Sequence, residues 1–204
     1  MNFSNTAAEV TSNLIVAGDI KVGRSLHKTV ILGIFAGMLI GAGAMGSIYG
    51  GHLSLNNEVY LIDTNGDIIN HINENGLVLE EDGKSNVYRP KAVTNSDRLP
   101  KMDLVILFVK SLYSKVALIG NKDIIGKDTY LMTLQNGSGH EDILGEFTDA
   151  EHIIIGTTED NGAVLGVGHI RRGGVGNTNI GMLVEDKNAF LPKVKDAFDC
   201  CGFN

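Results

Sequence analysis

Between Thr29 and Gly51 the chain carries no formal charge, and within that run stands Gly41-Ala42-Gly43-Ala44-Met45-Gly46, a G-x-G-x-x-G pattern. Two incompatible structures suit such a stretch. In one, an apolar strand ends in a turn whose first glycine permits the sharp bend. The second glycine lets the backbone approach a pyrophosphate, and the third lets the following helix pack on the sheet. In the other, residues 29–51 cross a bilayer as one helix, because the run is long enough and basic residues (Lys21, Arg24, His27, Lys28) flank it. Gly33, Gly37 and Gly41 even recur at the four-residue spacing that lets membrane helices approach closely.

The chain beyond Gly51 decides between them. Glu58–Asp63 (EVYLID) reads as a buried strand, and Asn65–Gly76 as a short helix ended by its glycine. Leu77–Val93 reads as one or two strands around an Asp-Gly turn, and Asp103–Lys110 (DLVILFVK) as a central strand apolar on both faces. SLYSKVALIG is helix, TYLMTLQNG strand and turn, HEDILGEF helix, HIIIGTT strand. From Asn161 the glycine-rich chain reads as an antiparallel hairpin added to the sheet edge. NAFLPKVKDAFDCCGF is a last amphipathic helix with Phe190, Val194, Ala197, Phe198 and Cys201 on one face. Strands alternating with helices specify a Rossmann-type, doubly wound, mostly parallel α/β sheet. A spanning helix through Gly51 would remove that sheet's first strand, so the phosphate-binding turn is the reading the rest of the chain demands. The strand is expected at about residues 34–40. Membrane contact through residues 29–51 stays as the second reading, with a membrane-anchored or non-catalytic dinucleotide-binding protein as the alternative function.

In such sheets ligands bind at the carboxyl ends of the strands. The candidate cofactor-binding residues are therefore Gly41, Ala42, Gly43, Ala44, Met45 and Gly46, with Asp63 at the end of the second strand, roughly the expected 20 residues on. A carboxylate there can accept hydrogen bonds from the ribose hydroxyls of NAD and repels the extra phosphate of NADP. A turn or N-cap aspartate ahead of Asn65 and Gly66 is its plainer role.

The net charge of −7 over 204 residues, without a basic cluster, argues against nucleic acid as partner. Cys200 and Cys201 are adjacent and imply no disulfide framework, and the six scattered histidines lack the spacing of a metal site.

From the glycine pattern onward the chain resembles the ketopantoate reductase (2-dehydropantoate 2-reductase) family. The matching residues are IGAGAMGS, then INENGL (Ile72–Leu77), VILFVKS (Val105–Ser111), LQNG (Leu134–Gly137), and the run from Gly156 to Gly181. The resemblance implies a Rossmann domain over residues 38–204 that serves NADP(H)-dependent, cytoplasmic reduction of a 2-keto acid on the route to pantothenate. It gives Lys110 and Asn136 as catalytic and cofactor-adjacent residues; without it, Lys110 reads as a solvent-facing strand end and Asn136 as a turn former. His169, Arg171 and Arg172 read as surface or interface residues.

The chain departs from the family in two respects. Asp63-Thr64-Asn65 supplies no basic residue for the NADP phosphate, which leaves NAD(H) open. Family members also continue into an all-helical domain that carries the lysine general acid, which is missing here, so this chain is expected to be impaired in turnover and open to homo-oligomer formation through an uncovered face. Residues 1–37 have no place in the family and resemble the start of a formate/nitrite transporter, an unrelated extension of the domain.

Overall fold

A computed structural model of the chain describes residues 43–203. The strand expected before the glycine turn, Gly41, Ala42 and the transporter-like head lie outside the described residues. Among the described residues no helix is long and apolar enough to cross a membrane. The part of the uncharged run that is described, Gly43–Gly51, begins helix α1 (Ala44–Leu53), ten residues long. Every residue of α1 except His52 is buried. Helices buried on all sides lie inside a protein and need small residues where partners come close. Gly51 shows why: a Cβ there would stand 3.0 Å from Leu79 Cδ1 and 3.2 Å from the Tyr88 ring.

Residues 54–59 turn the chain back into β1 (Tyr60–Ile62), which pairs in parallel with β4 (Lys91–Val93). Between them come α2 (Gly66–Asn75) and the hairpin of β2 (Leu77–Glu81) and β3 (Lys84–Tyr88). Asn65 caps α2, its Oδ1 accepting from Asp67 N at 3.0 Å, and Gly76 stops it at φ 87°. The Asp82-Gly83 pair turns the hairpin with positive φ at both residues, as a tight two-residue hairpin requires. On α2, Asn73 grips the backbone of β4 like a neighbouring strand: its amide donates to Ala92 O at 2.8 Å and accepts from Ala92 N at 3.1 Å.

The main sheet has the order β10-β7-β6-β5. Strands β5 (Leu104–Leu107), β6 (Tyr130–Thr133) and β7 (Ile153–Thr158) run parallel, and β10 (Thr178–Met182) closes the edge antiparallel to β7. All residues of β5 and β6 are buried, as expected of strands covered on both faces. The crossovers carry α3 (Ser114–Gly120) and α4 (His140–Gly145), and α5 (Phe190–Asp199) buries Phe190, Val194, Ala197 and Phe198. Most sequence-derived elements stand where expected.

The glycine-rich hairpin is the exception. Strands β8 (Asn161–Gly166) and β9 (His169–Gly174) do pair antiparallel, but they do not extend the main sheet; β9 joins β2 in parallel, making a separate sheet β3-β2-β9-β8. The physical reason is complementarity along β2. Leu79 faces Ile170 across the pair, and Glu80, opposite Arg171, also accepts from His169 Nε2 at 3.0 Å and Arg171 Nε at 3.1 Å. The small sheet covers α1, with Gly162 so close that a Cβ would stand 2.6 Å from Ile48 Cδ1.

Arg172 also departs from expectation. It is neither surface nor interface: its side chain is 6% exposed and grips the fully buried Asp160, with Nη2 at 2.8 Å from both carboxylate oxygens and Nε at 3.0 Å from Oδ1. Glu81 extends the network to His52 of α1, 2.6 Å away. Tyr49 anchors the middle of α1, bonding Thr158 and Thr178 hydroxyls at 2.8 and 2.7 Å, while Phe203 stacks on its ring at 4.0 Å.

Arg172→Met strands a buried carboxylate and should cost about 3–5 kcal/mol in urea unfolding, whereas Arg171→Met, breaking an exposed pair, should leave the urea midpoint almost unchanged. Equal losses would mean the two pairs do the same work. The cysteines give a second test, because burial pushes the Cys201 thiol up to about 11 while Cys200 is exposed. At pH 8 a maleimide should label Cys200 in the folded protein and reach Cys201 only on unfolding, since the thiolate is the nucleophile; rapid labelling of both in the native state would contradict this packing.

Candidate functional site

The carboxyl ends of β5 and β6 sit side by side, since the two strands pair in register from Leu104 with Tyr130 to Leu107 with Thr133. Lys110 and Asn136 each follow three residues after that last pair, Lys110 on the chain leaving β5 and Asn136 on the chain leaving β6. Lys110 leaves the strand in an extended conformation and begins a 3-10 turn over Ser111–Tyr113, its carbonyl accepting from Tyr113 N at 2.7 Å. Its side chain is half-buried, with the exposed Leu112 close by in sequence. Lys110 is therefore a strand-end lysine at the rim, and the strand's fully apolar body dictates that its first polar residue appears there.

Asn136 begins a turn that Gly137 makes possible at φ 105°. Its carbonyl accepts from His140 Nε2 at 2.8 Å, which closes the turn onto α4. The carbonyl can only accept, so Nε2 is the donor. Asn136 Oδ1 is buried and has no hydrogen-bond partner. A buried acceptor left without a donor costs about 1–3 kcal/mol, so Asn136 Oδ1 is open to a donor from outside the chain.

At the other end of the site, Gly43 precedes α1 with φ 114°, a conformation that side chains rarely adopt, and it supplies no side-chain cap. The amino end of a buried helix capped by glycine favours an anion, through its N–H groups and the positive end of the dipole. Ala44, Met45 and Gly46 form the first turn and are all buried. β1 packs on α1, and Asp63 follows the strand's last residue, Ile62. Asp63 is 1% exposed; its Oδ1 accepts from Asn65 N at 2.8 Å, and its N–H donates to Val93 O at 3.1 Å. The turn role foreseen for it is thus real for one carboxylate oxygen, and the N-cap of α2 is Asn65.

One participant escaped the sequence reading. Gln135, 5% exposed, precedes Asn136 and has its amide fully engaged with Val109, Ser114 and Thr133. The signal was a long polar side chain at the end of an otherwise apolar buried strand.

A glycine turn feeding a buried helix, a parallel sheet and polar residues collected at its strand ends define a Rossmann-type domain. Comparison with known proteins names the group: the profile described as ketopantoate reductase PanE/ApbA matches residues 38–185, and the chain belongs to that family of dinucleotide-binding reductases. The chain is 37% identical over 143 residues to the 2-dehydropantoate 2-reductase of Streptococcus pyogenes serotype M3, covering 70% of this chain and 46% of that protein. Against the enzyme of the same name from Pyrococcus horikoshii it is 37% identical over 165 residues, 80% of this chain and 53% of the other. Among solved structures, that of D-mandelate dehydrogenase with NADH and anilino(oxo)acetate superimposes with a TM-score of 0.75 at 34% identity, over 86% of this chain and 55% of that one. The chain thus spans about half the length of the relatives it matches.

Replacing Asn136 by Ala removes an acceptor that has no donor. The ligand-free chain should gain up to about 1 kcal/mol of stability in denaturant unfolding; a clear loss would mean that the amide holds its own turn.

Proposed function

We propose that this chain supplies the dinucleotide-binding part of a reductase that delivers hydride from a nicotinamide dinucleotide to the ketone of a 2-oxo acid, 2-dehydropantoate being the substrate its relatives are named for. The observation that carries the reading is the buried Asn136 Oδ1 lacking a donor where the chain leaves β6, with Lys110 where it leaves the neighbouring, parallel β5. The dinucleotide, when bound, supplies the hydride. The residues of this chain bind and orient. The N–H groups of Ala44, Met45 and Gly46 hold the pyrophosphate, and Asp63 takes the ribose hydroxyls. Asn136 accepts a hydrogen bond from the nicotinamide end or the substrate. The Lys110 ammonium attracts the substrate carboxylate and favours the negative charge that develops on the ketone oxygen.

The resemblance to the family favours NADP(H), but the residues here favour NADH. Asp63 is a carboxylate, held in place by Asn65 N, and neither Thr64 nor Asn65 offers a cation to a 2′-phosphate. The structurally similar D-mandelate dehydrogenase was solved with NADH. The domain is read as residues 38–204, with residues 1–37 an extension unrelated to it, and the protein as cytoplasmic.

A fluorescence titration of the folded chain tests this directly. NADH should bind saturably, about tenfold or more tighter than NADPH, and Asp63→Asn should bring the two affinities within a few fold, as the loss of a charge-assisted hydrogen bond and a repulsion predicts. Tighter NADPH binding overturns the cofactor assignment. No binding of either sinks the functional reading.

A further inference from the structure

We infer that Gln135 is a positioning residue for the nicotinamide end of the dinucleotide, its buried amide locking together the two strand ends that present Lys110 and Asn136. The inference rests on the functional reading above and adds to it the device that holds the site's geometry.

The amide has two acceptor positions and two donors. Oε1 accepts from Thr133 Oγ1 at 2.9 Å and from Ser114 Oγ at 3.1 Å. Nε2 donates to Ser114 Oγ at 2.9 Å and to the carbonyl of Val109. All four positions are spent inside the protein, so nothing of this side chain remains for a ligand, and it can act only through its neighbours.

Those neighbours bracket the site. Val109 immediately precedes Lys110, and Ser114 ends the 3-10 turn that Lys110 begins, so one amide holds the chain on both sides of that turn. Thr133 ends β6, and its Oγ1 also accepts from Gln135 N at 3.1 Å, setting the backbone that leads into Asn136. Beyond Leu107 and Thr133 the two strands are no longer paired residue by residue in the sheet. There the amide takes over from the ladder, as a cross-link placed where the two polar side chains begin. Val109 also makes a β-bridge, and the amide ties that held point to Ser114 and Thr133, limiting the shifts of fractions of an ångström that a hydrogen-bonding site does not tolerate.

The test separates positioning from mere support of the core by using two ligands. ADP-ribose has the pyrophosphate and both riboses but no nicotinamide, and NADH has all of them. In the unaltered chain NADH should bind more tightly than ADP-ribose. Gln135→Leu should weaken NADH about tenfold and leave ADP-ribose within about twofold, the scale expected when buried hydrogen bonds that orient a site are lost. Ser114→Ala, which removes one partner of the same amide, should shift the ratio in the same direction by about threefold, and it decides the matter if Gln135→Leu unfolds. Proportional weakening of both ligands, or no change in either, overturns the positioning role, as does equal affinity of the unaltered chain for NADH and ADP-ribose. Failure of the unaltered chain to bind either ligand overturns the functional reading and the inference with it.

Discussion

Burial of α1 on nearly all sides is the constraint around which the described structure is arranged. A ten-residue helix with no polar face cannot stand at a surface, so it must be enclosed, and here the small sheet, β1 and the last residues of the chain enclose it. Each enclosing piece is then fastened by a specific contact. Tyr49 joins the helix to β7 and β10 through two threonine hydroxyls, and Phe203 stacks on the same ring. His52 joins it to β2 through Glu81, and Arg172 ties that carboxylate to Asp160. The rigidity matters because the amino end of this helix is where the phosphate site is proposed. A helix whose position is set by buried charges and hydroxyls cannot drift relative to the strands that present the rest of the site.

The other half of the candidate site relies on a similar substitution of side chains for backbone. A parallel ladder positions residues only as far as it extends, and β5 and β6 stop pairing before Lys110 and Asn136. Gln135 and His140 continue the job, the one bonding across to Val109 and Ser114, the other closing the turn onto Asn136 O. What this leaves unfilled is informative: Asn136 Oδ1 is buried without a donor, next to a glutamine whose amide is fully satisfied.

Much of this was legible in advance. The helix over Gly66–Asn75 announced itself through the glycine that ends it, Gly76, and the β5 strand through an unbroken apolar run, because caps and periodicity are local physics. Lys110 and Asn136 were singled out through the likeness to a family alone; without it they read as a solvent-facing strand end and a turn former, which is also where the fold puts them, after β5 and before the turn at Gly137. The hairpin β8–β9 was misplaced because its glycine-rich strands carry no pattern that names a partner; the partner was chosen by charges on β2, far away in sequence. The same long-range pairing turned Arg172, which reads as a surface residue beside Arg171, into a buried cation.

The sequence by itself determined the order of strands and helices, the glycine that starts α1, and the polar residues at the strand ends, since each follows from the conformational limits and burial preferences of nearby residues. Only the tertiary structure decided which sheet the hairpin joins, which of two adjacent arginines is buried, and that Gln135 rather than the backbone spans the two strand ends. Those outcomes depend on pairing of groups separated by tens of residues in the chain, and the free energy of such pairs exists only once the fold has brought them together and removed the water between them.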